Sequence, residues 1–237
     1  MLTFSSKLFS RLHELKYALE DCVRIDRSVI EIREASVLED ESILYYLTNL
    51  STVVSVGAVD EFIKMSSIDL LTCFLSGMTQ EHYAPKKFIP AGWLAISRDL
   101  TREDGISVMQ DQTLLYYQVW KEFERMNFQA ADHVKKQLKE LNLGSLKSIV
   151  GKRDDAAFSE SLDRLANRRH EIVHRLGRKF NPLFGSSYPE KTEPPATEDL
   201  EIIFSVCKAI NQKMTNLIKE DYIYENCYND ENVSLNI

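Results

Sequence analysis

Residues 168–175 read Arg-Arg-His-Glu-Ile-Val-His-Arg: two histidines four positions apart, a glutamate directly after the first, and three arginines. On a helix, positions i and i+4 share a face, so His170 and His174 would point the same way. Two chemistries use such a pair. In one, neutral imidazoles ligate zinc and the glutamate of His-Glu-x-x-His serves as general base for peptide hydrolysis. In the other, the imidazoles take and return protons near neutral pH. An adjacent arginine then holds a phosphate with two parallel hydrogen bonds. RNA supplies its own nucleophile, the 2′-hydroxyl, so that second chemistry needs no metal.

The zinc reading runs further along the chain. "HEIVHRLGRKF" follows His-Glu-x-x-His-x-x-Gly-x-x-His as far as Gly177, then places Phe180 where the third ligand belongs. Phenylalanine cannot coordinate a metal, which leaves Glu198 and Glu201 as the substitutes. Arg169 and Arg175 flank the two histidines and oppose a bound dication. Zinc proteases of this class also offer a sheet edge to an extended peptide, and the pattern predicts no sheet. The cysteines, Cys22, Cys73, Cys207 and Cys227, form no Cys-x-x-Cys pair. They read as buried free thiols rather than as a thiolate zinc site or a disulfide framework. No metal and no other cofactor is expected.

The phosphate chemistry gains support from the helix that must carry it. Placed at about 100° per residue, Leu162, Leu165, Ile172, Val173 and Leu176 make one apolar stripe. Arg169 falls near its middle, where burial costs several kcal/mol unless an anion meets the guanidinium. His170 and His174 run beside the stripe, in line with Asp163 and Asn167. One edge of the helix thus gathers an arginine, two histidines, an amide and a carboxylate. The plainer possibility is a solvated face whose arginines pair with local carboxylates.

The elements around this helix are also predicted to be helical. Residues 5–33 place Leu8, Leu12, Leu15, Leu19, Val23 and Val29 near helical spacing. Residues 40–77 form a second long apolar segment, although "STVVSV" within it is locally strand-like. Gly57 in that run would allow close helix packing. Residues 79–105 hold Pro85, Pro90, Gly92 and Gly105 and read as a connection. Helices are predicted over 106–126 and 128–142, ended by Gly144. The motif helix is predicted over about 156–176, stopped by Gly177. A proline-rich loop over 177–197 and a final helix over 198–221 follow, the latter opened by Thr197. Residues 225–237 are polar and Asn-rich and are expected to lack regular structure. The pattern is that of a single all-α domain over 1–224 with long N-terminal helices.

Composition bounds the function. The 237 residues include 44% hydrophobic and 27% charged residues, enough to bury a core without staples. No apolar run reaches membrane-span length, and the first residues lack a signal-peptide core, so a cytoplasmic protein without membrane contact is expected. The net charge of −7 disfavours a general nucleic-acid binder. The charge is uneven, however: residues 147–179 carry nine Lys/Arg against five Asp/Glu. Arg164, Arg168, Arg175 and Arg178 lie on or just beyond the motif helix and are predicted to contact an RNA backbone.

"LANRRHEIVHRLG" resembles the signature helix of the HEPN domain family, all-α proteins of toxin–antitoxin and phage-defence systems. The likeness is strongest to the prokaryotic RiboL-PSP group and its relatives. The family pattern of Arg, a polar residue, three more and then His falls on Arg169, His170 and His174. "VDEFIK" at 59–64 is similar to the family's second-helix segment. Outside these stretches the likeness is only one of helical order. The resemblance implies a metal-independent endoribonuclease with Arg169, His170 and His174 catalytic. It also implies a homodimer through the motif helix, and an antitoxin or defence-system partner. One subgroup has tyrosine two residues after the histidine; here that residue is Leu176, so control by nucleotide transfer onto such a tyrosine is not implied. The alternative from a different class is a non-catalytic helical dimer that binds nucleotides or a protein partner.

Overall fold

The computed structural model describes residues 4–35, 41–86, 112–175, 178–181, 186–189, 195–219 and 234–235. Its described elements are helices α1 (Phe4–Glu34), α2 (Glu41–Leu75), α3 (Gln112–Phe123), α4 (Ala131–Glu140), α5 (Leu146–Val150), α6 (Lys152–Arg175) and α7 (Thr197–Thr215), with two short strands, β1 (Arg178–Asn181) and β2 (Ser186–Pro189). The chain is all-α in class. Among the described residues no helix is long and apolar enough to cross a membrane.

The centre of the bundle is α2. It packs along α1 and also meets α3, α6 and α7, so it has little solvent face over its second half. The strand-like stretch "STVVSV" lies in the first half of α2, where Ser51, Thr52, Ser55 and Val56 are buried and Val54 is exposed. Burial of that one face outweighs the local preference. Their hydroxyls do not stay unsatisfied. Thr48 and Ser55 donate to the carbonyls of Leu44 and Thr52, the single Ser51 proton is shared between the Thr48 carbonyl and Asp26, and further on Ser67 and Thr72 donate to Ile63 and Ile68. Gly57 does not act as a packing notch: it is exposed, and a Cβ there would meet nothing within 4 Å. Gly77 ends α2 at φ +70°, with Met78 N–H bonded to Cys73 and Gly77 N–H to Phe74.

One continuous core joins the helices. Leu12, Leu15, Leu19 and Val23 of α1 meet Val56, Val59, Phe62 and Ile63 of α2, and Phe158, Leu162 and Leu165 of α6 meet Ile203, Val206 and Ile210 of α7 within the same cluster. Cys22, Cys73 and Cys207 are buried free thiols; Cys227 lies outside the described residues. Burial pushes the Cys22 thiol up to about 12, the nearby Asp26 and Asp21 adding to the effect.

Several boundaries differ from expectation. The motif helix starts at Lys152, and the acidic residues Asp154 and Asp155 in its first turn suit a helix N-terminus. The final helix stops at Thr215 rather than 221. Its end is captured instead by the turn after α2: Thr79 pairs with Ile218, Gln80 N–H donates to Leu217, and Lys219 N–H donates to Met78. The expected loop after α6 contains an antiparallel strand pair, with Arg178 opposite Pro189 and Asn181 opposite Ser186. Phe180 and Tyr188 favour extended backbone, and Pro189 is tolerated because the ribbon has only edges. Residues 87–111 and most of 220–237, where a connection, the start of a helix and a frayed tail were expected, lie outside the described residues.

The α1–α2 pairing contains a titrating group. Asp26 is buried and accepts a hydrogen bond from Ser51 at 2.8 Å. Burial nevertheless pushes its carboxyl up to about 6, against the opposing effect of the Ser51 bond. The folded state therefore holds this proton more tightly than the unfolded chain does. The resulting contribution to stability is full below the unfolded value near 4 and is lost as pH rises through about 6. Asp26→Asn should flatten that part of the stability–pH curve and stabilise the protein at pH 7 by about 1–3 kcal/mol. Urea unfolding across pH 4–7 is the measurement, and a slope identical in the two proteins would refute the assignment.

Candidate active site

Helix α6 divides into an anchored part and a projecting part. The anchored part runs through Leu165. Phe158 and Leu162 are completely buried and Leu165 nearly so, at the i, i+4, i+7 spacing that aims one face at the core. Polar tethers fix the same stretch from two sides. Asp155 pairs with Lys135 of α4 at 2.8 Å, and Asp163 accepts the backbone N–H of Ala131, the first residue of α4, at 2.9 Å. On the other side Asp199, in the first turn of α7, is buried and accepts from Ser161 at 2.7 Å. The same carboxylate takes both prongs of Arg164, Nε at 3.2 Å and Nη2 closer still.

Beyond this point the helix leaves the core. Arg169 and Ile172 are half-buried, His170 and His174 are exposed, and Val173 is 46% exposed. The apolar stripe is thus interrupted: Leu162 and Leu165 belong to the monomer core, whereas Ile172 and Val173 do not join it. Leu176 lies outside the described residues. The two histidine rings stand side by side, centroids 4.3 Å apart and planes inclined at 48°. Among the described residues no carboxylate lies within salt-bridge reach of Arg169.

The arginines that the sequence groups together separate into distinct settings. Arg164 is held by Asp199, whose hydrogen bond and charge stabilise the guanidinium in its charged form, and Glu160 lies within 3.7 Å of it. Arg168 pairs with Glu171 at 3.2 Å. Arg175 is the last residue of α6, and Arg178 opens β1. Asp163, in line with the histidines on the helical wheel, caps α4 instead of joining them. Asn167 is exposed, one turn before His170. Among the described residues no third His, Cys, Asp or Glu joins the pair in a group of three that could hold a metal ion. Phe180, at the protease pattern's third position, lies in β1.

The residue that sequence reasoning missed is Asp199. It stands between Glu198 and Glu201, which drew attention only as zinc ligands. The usable signal was a Ser–x–x–Arg pair on one face of α6 together with an acid in the first turn of a later helix. A carboxylate there is favoured by the N-terminal end of the helix dipole, and can serve a second helix at the same time.

The arrangement can perform acid–base chemistry on an anion. Two exposed imidazoles supply proton acceptors and donors, and the neighbouring guanidinium supplies charge. Its geometry depends on the Asp199 cluster. Asp199→Ala should lower stability by about 1–3 kcal/mol, because the Ser161 hydroxyl loses its buried acceptor. Asp199→Asn keeps an acceptor oxygen and should cost less. Equal urea midpoints for wild type and Asp199→Ala would show that the cluster does not hold α6 to α7. No family model, curated protein or solved structure matches the chain.

Proposed function

We propose that this chain is a HEPN-type endoribonuclease that cuts RNA without a metal, acting in the cytoplasm as a toxin or phage-defence effector. The observation that carries this reading is the exposed His170–His174 pair beside Arg169, a half-buried cation that no described carboxylate engages. A half-buried unpaired guanidinium is costly, and a phosphate offsets that cost better than water does.

In the proposed reaction Arg169 holds the scissile phosphate. His174 removes the proton from the 2′-hydroxyl or delivers one to the leaving 5′-oxygen, and His170 orients that exchange or shares it. The 2′-oxygen attacks phosphorus, the bond to the 5′-oxygen breaks, and the products are a 2′,3′-cyclic phosphate and a free 5′-hydroxyl. The RNA backbone would lie along the basic end of α6. Arg175, which ends α6, and Arg178, which opens β1, would be contacts on this reading. Arg164 and Arg168 would have to exchange Asp199 and Glu171 for phosphate, so their contribution is smaller.

A homodimer through the projecting turns of α6 follows from the same exposure. Ile172 and Val173 lie outside the core and would be covered by a second copy, with the two Arg169 side chains facing a shared groove. An antitoxin or other defence-system protein would be a further partner. The same exposed turns also suit the alternative, a non-catalytic helical dimer that binds nucleotides or protein, and RNA cleavage separates the two.

Purified protein should cut total RNA or tRNA in the presence of EDTA and leave cyclic-phosphate ends. Arg169→Ala and His174→Ala should each slow cleavage by about 10² or more, typical of a lost charge stabiliser or acid–base group. Wild-type rates in both variants would reject the residue roles. Sedimentation should give a dimer, and dilution should abolish cleavage before it lowers helix content. A monomer that still cuts RNA would exclude the shared groove.

A further inference from the structure

We propose that His170 and His174 form a two-imidazole chelate for a transition-metal dication, zinc first among them, and that the bound ion shuts the site off. The spacing and exposure of the pair carry the proposal. Both rings are exposed, on the same side of α6, with centroids 4.3 Å apart. At zinc–nitrogen bonds of about 2.0–2.1 Å, two nitrogens sharing one tetrahedral ion stand roughly 3.4 Å apart. Rings already this close reach that separation by side-chain rotation, without backbone movement. Imidazole suits zinc, copper and nickel, and water completes the coordination.

The surroundings permit a weak, exchangeable ion and no more. Arg168 turns to Glu171 at 3.2 Å, which offsets one of the neighbouring positive charges. Arg169 and Arg175 adjoin the two histidines in sequence, and their charge weakens a bound dication without removing its ligands. With two ligands and no described third, the ion would be held reversibly, unlike the closed ligand set of a structural site. A metal on both imidazoles occupies the lone pairs that would accept the substrate's proton. That inhibitory consequence rests on the ribonuclease reading; the binding itself does not.

The test titrates zinc chloride into the full-length protein, stripped with EDTA, desalted, and carrying Cys227→Ser so that this thiol takes up no ion. Calorimetry should show saturable binding. Its affinity should fall at least about tenfold in His170→Ala and in His174→Ala, since each loses the advantage of two linked ligands. His82→Ala and His133→Ala, which remove lone exposed histidines, should bind as the parent does. Where an alanine variant fails to fold by circular dichroism, His174→Gln takes its place. Undiminished affinity in the pair variants, or no saturable binding up to about 1 mM zinc, weaker than any useful switch, overturns the proposal. In the RNA arm, zinc should stop cleavage and EDTA should restore it. Protein that binds zinc through the pair yet cuts no RNA defeats the ribonuclease reading and leaves the chelate standing. Protein that cuts RNA but binds no zinc does the reverse.

Discussion

The buried carboxylate of Asp199 is the contact on which the geometry of this molecule turns. It receives the Ser161 hydroxyl and the Arg164 guanidinium from α6 while sitting in the first turn of α7. The carboxylate therefore ties α6 to α7 beside the apolar packing of Phe158, Leu162 and Leu165. Asp163 and Asp155 secure the opposite side of α6 to α4. With the helix held through Leu165, the direction of the next two turns is set by helix geometry alone. Those turns carry Arg169, His170 and His174. Placing reactive groups on a rigid helix, a few residues beyond its anchors, fixes them more closely than a loop would.

The anchoring also uses up part of the charge that the sequence displays. Seen as letters, residues 160–178 are a run of arginines with scattered acids. In three dimensions Arg164 and Arg168 have carboxylate partners, and the Asp163 carboxylate accepts the Ala131 N–H at the start of α4. Among the arginines whose side chains are described, Arg164, Arg168 and Arg169, only Arg169 has no described carboxylate partner. Its half-burial makes the contrast sharper. An exposed lysine or arginine needs no partner, because water solvates it and surface pairs contribute little. A guanidinium withdrawn from water gains far more from an anion, so Arg169, which no described carboxylate engages, says more about the site than the whole basic run.

The sequence made the architecture largely readable. Apolar spacing located α1, α2, α6 and α7, and core residues such as Leu12, Leu15, Leu19, Leu162 and Leu165 are buried as their positions on the wheel require. The departures have separate causes. "STVVSV" is helical because Ser51, Thr52, Ser55 and Val56 bury one helical face against the bundle, which no local window records. The strand pair after α6 was hidden because four-residue strands fall below the length at which alternation is distinguishable from loop. α7 ends early because its last expected turn pairs with the chain after α2, a long-range contact. At the site, the wheel put the two histidines on one face and Arg169 on the stripe. It could not show that the stripe leaves the core at Ile172, nor that Asp163 faces α4, since both depend on where neighbouring helices stop.

Charge completes the physical picture. Residues 147–179 carry a net +4 while the rest of the chain carries −11. Averaged over the molecule, that balance repels a polyanion. At physiological ionic strength, however, charges separated by more than about 8 Å are largely screened from one another. An anion arriving at the projecting end of α6 meets the nearby arginines at full strength and the acidic body only weakly. The distant negative charge then discourages binding elsewhere on the surface, so a chain that is acidic overall can be selective for one short stretch of phosphate. If RNA binds as proposed, contacts at this tip, rather than the net charge, would govern how binding varies with salt, because each phosphate neutralised releases its own counterions. On the proposed function, an acidic body would suppress adhesion to polyanions in general, and a basic helix end would admit one where the histidines stand.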